Sequence, residues 1–187
     1  MILYDRSDLI GALSEVARRM QERGIVGSIN IVGGASISLQ YFDRRSTVDI
    51  DALIAPIQEV LAISEEIARE RGWDMGWLNN KAQGFIPLAK GNWISIFDEG
   101  GVSICVAEPE TLLAMKIRAS RPLRDLDDIA DLLGLCQIGS VAEAEELFEE
   151  YFRGEIMPEK AYALLEGIFK QGIPSVPQAP PKPEFMV

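Results

Sequence analysis

The stretch IVGGASISLQYFDRRSTVDIDALI, residues 31–54, decides how this chain is read. A β-branched run ends in Gly33-Gly34, a short amphipathic stretch follows, and Asp49 and Asp51 then sit one residue apart inside a second apolar run. Alternate side chains of a strand share a face. The second run therefore predicts a strand over residues 47–55, with the two carboxylates on one side and Val48, Ile50 and Ala52 on the other. Two carboxylates that close repel one another and resist desolvation. A divalent cation removes that penalty, and acidic oxygens holding a cation that in turn holds a triphosphate are the arrangement used in two-metal phosphoryl or nucleotidyl transfer. A bare D-x-D is more often a solvated strand face or a strand end, so the upstream glycines carry the weight. Strand, Gly33-Gly34 and then a helix start would aim backbone N–H groups at an anion, and Ser36 adds a hydroxyl.

Outward from this stretch, Ser7 is expected to cap a first helix running to about Gln21. Leu9, Ile10, Leu13, Val16, Ala17 and Met20 fall on one face of it, and Gly24 ends it. Residues 27–32 (GSINIV) read as a strand and residues 35–42 (ASISLQYF) as a short helix. A helix is expected from Pro56 to about Arg71, closed by Gly72. Residues 73–92 read as irregular. Residues 93–97 and 102–106 read as strands joined by the turn Asp98-Glu99-Gly100-Gly101. Helices are expected at 109–119, 123–136, 141–152 and 158–170, with Ser140 and Glu143 forming a capping box. The proline-rich end reads as extended or disordered. The fold class is α/β (α+β): a small mixed sheet with its helices over residues 1–107, a helical region over 108–172 expected to pack on it, and a tail over 173–187.

Composition narrows the chemistry. The chain has 187 residues, nearly half of them hydrophobic, enough for one domain with a real core. Eighteen Lys and Arg against 29 Asp and Glu give a net charge of −11, which repels a nucleic-acid backbone unless a local basic patch meets it. There is no histidine, which removes Ser-His-Asp hydrolysis, Cys-His catalysis and His-ligated zinc. A metal would need oxygen ligands, which points to Mg²⁺, Mn²⁺ or Ca²⁺. Cys105 and Cys136 sit in apolar contexts and read as buried free thiols. The start, MILYDRSDLI, has no uninterrupted apolar run, and no segment offers about 18 uncharged apolar residues. A cytoplasmic protein with no membrane partner is the expectation.

G-G-A-S followed, after a short helix, by D-I-D in a strand resembles the signature of the nucleotidyltransferase superfamily that includes DNA polymerase β. A second block, PETLLAMKIRASRPLRDLDDIADL from Pro109, resembles the AbiEii-like nucleotidyltransferases and the related DUF6036 group, with Lys116, Arg121, Arg124, Asp125 and Asp128 at the matching positions. Trp77-Leu78-Asn79 resembles an element of the DUF6036 group. The resemblance runs from about residue 8 to residue 135. It implies a Mg²⁺- or Mn²⁺-dependent transfer of a nucleoside monophosphate from an NTP to a hydroxyl acceptor, on a tRNA end or a partner protein, in some relatives as the toxin of a toxin–antitoxin pair. Asp49 and Asp51 would hold the metal, and Gly33, Gly34 and Ser36 would bind phosphates together with Lys116, Arg121 and Arg124. Lys116 would offset phosphate charge, with Asp125 or Asp128 positioning it. Taken as residues alone, Arg124 and Asp128 also suit an i,i+4 pair on a solvated face, and Asp125 suits a helix start. One departure stands out: the strands at 93–97 and 102–106 carry no third carboxylate. Two other readings stay open. One is a non-catalytic nucleotide- or partner-binding module with a decayed site. The other is a D-x-D glycosyltransferase, which UDP-sugar binding would reveal.

Overall fold

The computed structural model describes residues 2–42, 46–87 and 90–187. Leu88 and Ala89, within the stretch read as irregular, lie outside the described residues. The chain divides into two compact units: Met1–Gly84 with Trp93–Ala107 and Ala179–Val187, and Phe85–Asn92 with Glu108–Gln178.

The first unit is built on a mixed five-stranded sheet, so the small α+β fold expected from the sequence holds. Its elements are α1 (Arg6–Glu22), β1 (Gly27–Val32), α2 (Gly33–Gln40), β2 (Ile50–Ala55), α3 (Ile57–Arg71), β3 (Leu78–Asn79), β4 (Trp93–Glu99) and β5 (Val102–Ala107). The strand order is β3-β2-β1-β5-β4. β1 runs antiparallel to β2 and parallel to β5, β3 lies parallel to β2, and β4 and β5 form an antiparallel hairpin. The central strand β1 buries Ile29, Ile31 and Val32, flanked by Ala52 of β2 and Ile104 and Val106 of β5. α1 presents Leu9, Leu13, Val16 and Met20 to this core, and α3 adds Val60, Ile63 and Ile67. Between α1 and α3, Arg19 pairs with Glu70, and Arg23 with Glu66.

Several boundaries differ from those read in the sequence, each for a local reason. The cap of α1 is Asp5, not Ser7: Asp5 accepts from the Asp8 amide while Asp8 accepts from the Asp5 amide, and Ser7 instead donates to Asp5 Oδ1 at 2.7 Å. α2 begins at Gly33 itself, because Gly33 adopts a left-handed φ of +68° that turns the chain straight from strand into helix. β4 runs on to Glu99, so the turn shrinks to Gly100-Gly101, both at positive φ, the geometry of a two-residue hairpin loop. Asp98 and Glu99 therefore lie on a strand rather than in the turn. The segment 73–92 is not wholly irregular: Leu78–Asn79 pairs with β2 and Lys81–Phe85 forms a 3₁₀ turn. Two residues are too few to show a period of two in a sequence.

The last residues, Ala179–Val187, form neither helix nor strand and belong to this unit. Arg6, already bonded to the Ser38 and Leu39 carbonyls at the end of α2, also donates to the Pro181 carbonyl. The Met186 amide donates to Ser14 Oγ at 3.2 Å, and Phe185 packs on Phe97.

The second unit is helical: α4 (Pro109–Ala119), α5 (Pro122–Leu135), α6 (Val141–Tyr151) and α7 (Glu159–Phe169). Its core holds Leu112, Leu113 and Ile117 of α4, Ile129, Leu132 and Leu133 of α5, Phe148 of α6 and Leu165 of α7. Ser140 caps α6 by accepting from the Glu143 amide, while Glu143 reaches past the cap to the Gly139 amide at 2.8 Å. Among the described residues, no helix is long and apolar enough to cross a membrane.

Gly27 makes the tightest test of the sheet. A Cβ there would stand 2.2 Å from the Ala55 carbonyl oxygen and 2.8 Å from Pro56 Cδ. Gly27→Ala should force β1 and β2 apart at that end and cost about 1–3 kcal/mol, read as a lower urea midpoint.

Candidate functional site

The site grows from the β1–β2 register. Antiparallel pairing sets Asp51 opposite Val32, the residue just before the glycine pair. Asp51 thus stands at the end of β1 where α2 begins, and its Oδ2 lies 3.9 Å from where a Gly33 Cβ would be. Asp49, Asp51, Gly33 and Gly34 are all partly accessible, while Ile50, Ala52 and Ala35 around them are buried. Ser36 is fully buried, and its Oγ has no hydrogen-bond partner among the described residues. Of Gly33, Gly34 and Ser36, it is the one that solvent does not reach.

Asp49 is placed differently from the expectation. The strand read over 47–55 is β2, Ile50–Ala55, and Asp49 precedes it. Thr47 turns away to form an isolated antiparallel bridge with Tyr4, through bonds of 2.8 and 2.9 Å, and Thr47 Oγ1 donates to the Asp49 carbonyl at 3.1 Å. Strand alternation therefore does not orient Asp49. The Asn79 side chain does: its Nδ2 donates to Asp49 Oδ2 at 3.2 Å, and its backbone is in register with Asp51.

Beneath this segment lies an aromatic cluster. Tyr4 and Trp73 have ring centroids 4.4 Å apart, Trp73 meets Trp77 edge-on at 5.5 Å, and Trp77 Nε1 donates to the Ser64 carbonyl at 2.9 Å. Trp77 and Tyr4 are fully buried, so these rings support the fold. Burial pushes the Tyr4 phenol above its ordinary value, and the charges of Asp74 and Asp49 push it the same way.

Asp98 and Glu99 of β4 do not join the pair. Asp98 and Glu99 are opposite Ser103 and Val102 on β5, which are level with Ser28 and Gly27 at the start of β1. Asp51 is level with Val32, four residues along from Ser28, so strand rise separates the two groups by roughly 13 Å. Among the described residues, no group of three or more His, Cys, Asp or Glu could hold a metal. Two carboxylates nevertheless fit Mg²⁺ or Mn²⁺, which take hard oxygen donors and keep waters and substrate phosphates as their remaining ligands. The thiols offer no alternative: burial raises both, Cys136 to about 12.

The second sequence block forms a buried ion cluster within the helical unit. Lys116, near the end of α4, places Nζ 2.8 Å from Asp125 Oδ1 and 2.8 Å from Asp128 Oδ2, both on α5. All three residues are at least nine-tenths buried. The helices can approach this closely because Ser120 takes a left-handed conformation (φ +42°) that ends α4 sharply. Arg121 Nε donates to Asp125 Oδ2 at 2.8 Å. Burial by itself would raise the Asp125 carboxyl, but the hydrogen bonds and charges of Arg121 and Lys116 outweigh it and hold it below its ordinary value. Arg118 pairs with Glu155, and Arg124 is exposed. Lys116, Arg118 and Arg121 thus each face a carboxylate.

Asn79 is the residue that sequence reasoning passed over as a site residue. Its signal lay within Trp77-Leu78-Asn79, a polar residue closing an apolar pair.

A family model described as a nucleotidyltransferase of unknown function (DUF6036) matches residues 8–166. No curated protein and no solved structure matches the chain significantly.

The ion cluster should show in stability. Replacing Lys116 by Met would remove the cation that two buried carboxylates share and cost about 3–5 kcal/mol, read from urea unfolding. Because the folded Asp125 carboxyl titrates below its ordinary 3.8, its contribution is full above that pH and drains as the pH falls through the lower folded value. Asp125→Asn should therefore be less stable than the parent at pH 7 and lose stability less steeply below pH about 4.

Proposed function

The chain belongs to the DUF6036 nucleotidyltransferase family, and from that premise we propose that it transfers a nucleoside monophosphate from an NTP to a hydroxyl acceptor, with a divalent cation held by Asp49 and Asp51. The observation that carries this reading is the carboxylate of Asp51 lying against the glycine that starts α2. Anion-binding backbone and cation-binding side chains then share one corner of the sheet.

In the reaction, the acceptor hydroxyl oxygen bonds to the α-phosphorus while the bond from that phosphorus to the bridging oxygen of the β-phosphate breaks. Pyrophosphate leaves and the hydroxyl proton passes to solvent. A bound Mg²⁺ would supply charge neutralisation on the phosphate oxygens and orientation of the triphosphate. Asp49 and Asp51 hold the cation through hard oxygen donors. Gly33 and Gly34 offer backbone N–H groups at the start of α2, where the helix dipole favours anionic charge. The positive φ of Gly33 lets the backbone reach that position with no Cβ between it and the ligand. Lys116, Asp125 and Asp128 of the helical unit take their part in this proposal from the family resemblance, as a charge-offsetting lysine and its holders. Arg121 and Arg124 are assigned to phosphate contact, and the acceptor is an RNA end or a partner protein.

The test is incubation with each of four α-labelled NTPs, Mg²⁺ or Mn²⁺, and total cellular RNA and protein. Label should move to a discrete RNA or protein band and be lost with Asp49→Ala, a variant expected to keep the parent's thermal unfolding profile. Full transfer by Asp49→Ala would overturn the assignment. Metal-dependent NTP binding without transfer would favour the binding-module reading.

A further inference from the structure

We infer that Asn79 is a positioning residue that fixes the orientation of Asp49 for cation binding, an inference that rests on the reading of Asp49 and Asp51 as the cation-holding pair. Asp49 lies outside the regular strand, so main-chain pairing does not hold its side chain. A carboxylate left to rotate there would bind a cation only in a fraction of its rotamers. Asn79 removes that freedom.

The chemistry around Asn79 leaves its amide one sensible orientation. Its Oδ1 accepts from the Lys81 amide at 2.9 Å. Its Nδ2 faces three acceptors: Asp49 Oδ2 at 3.2 Å, the Gly76 carbonyl at 3.3 Å and the Ile50 carbonyl at 3.4 Å. Rotating the amide by half a turn would set oxygen against three oxygens and nitrogen against an N–H donor. Two hydrogens serve three acceptors, and the Asp49 carboxylate oxygen is the nearest of them. Asn79 is 6% exposed, so water does not readily substitute for it. Its own position is fixed twice: β3 pairs Asn79 with Asp51 and Leu78 with Ile50, and the Ile50 amide donates to the Trp77 carbonyl at 2.6 Å. One residue thus links the backbone at Asp51 to the side chain of Asp49. Bonding to Oδ2 leaves Oδ1 to turn toward a cation, the arrangement by which hydrogen-bonded carboxylates become better metal ligands.

Direct Mn²⁺ binding by the purified full chain, followed by electron paramagnetic resonance, tests this without relying on turnover. Asn79→Ala should bind Mn²⁺ about 10–100-fold more weakly, while Gly27→Ala, which loosens the same sheet at the far end of β1, should keep the parent's affinity. If Asn79→Ala binds Mn²⁺ like the parent, or if Gly27→Ala weakens binding to the same degree, Asn79 is structural only and the inference falls. Should Asn79→Ala fail to fold, Asn79→Ser, whose hydroxyl is too short to reach Asp49, serves in its place with the same expected loss. Asp49→Asn separates the two levels. If it leaves Mn²⁺ binding intact, the cation reading fails and takes this inference with it. If it weakens binding while the Asn79 variants do not, the cation reading stands and this inference alone fails.

Discussion

The antiparallel pairing of β1 with β2 is the constraint on which the first unit turns. It sets Val32 opposite Asp51, and since α2 follows Val32 without a loop, it brings the first helical turn and the acidic segment to one corner. A slip of one residue would turn every side chain of β2 over, burying Asp51 and exposing Ile50 and Ala52. The apolar cost of that slip locks the register, and the polar site comes with it. The site's geometry is in this sense a by-product of core packing: Ile29, Ile31, Ala52 and Ile104 decide where Asp51 stands.

Two glycines serve opposite ends of that pairing. Gly33 supplies a left-handed turn, so strand passes into helix with no intervening residue. Gly27, at the other end of β1, lacks a side chain because the Ala55 carbonyl and the Pro56 ring occupy the space where a Cβ would be. The first is a requirement of backbone conformation and the second of contact. Both keep β1 close to its neighbour along its whole length.

The helical unit answers a different problem. A lysine and two aspartates buried together would be costly singly, since each charge leaves water. Lys116 lies within hydrogen-bond distance of both carboxylates, and Arg121, paired with Asp125, brings the formal charge of the four to zero. In a chain with a net charge of −11, this pairing also explains why a cluster of cations within residues 116–124 does not amount to a broad basic surface.

Much of the architecture was legible in the chain itself. β1 was read at its true limits from GSINIV, α4 at its limits from PETLLAMKIRA, and the remaining helices to within a residue or two, because helical period and Pro or Gly punctuation are local properties. The glycine pair and the two aspartates also stood out locally as candidate site residues, through residue type and spacing. What the sequence could not decide was anything set by a distant partner. Thr47 leaves the strand because Tyr4, more than forty residues earlier, captures its backbone. Leu78–Asn79 becomes a strand only because β2 offers an open edge. Asp98 and Glu99 are excluded from the acidic pair by register across three strands. Asn79 reaches Asp49 only after the sheet has formed. The sequence by itself determined which residues could do chemistry, since that follows from side-chain type. Tertiary structure alone decided which of them meet, because hydrogen bonds across a sheet join residues whose separation along the chain carries no local signal.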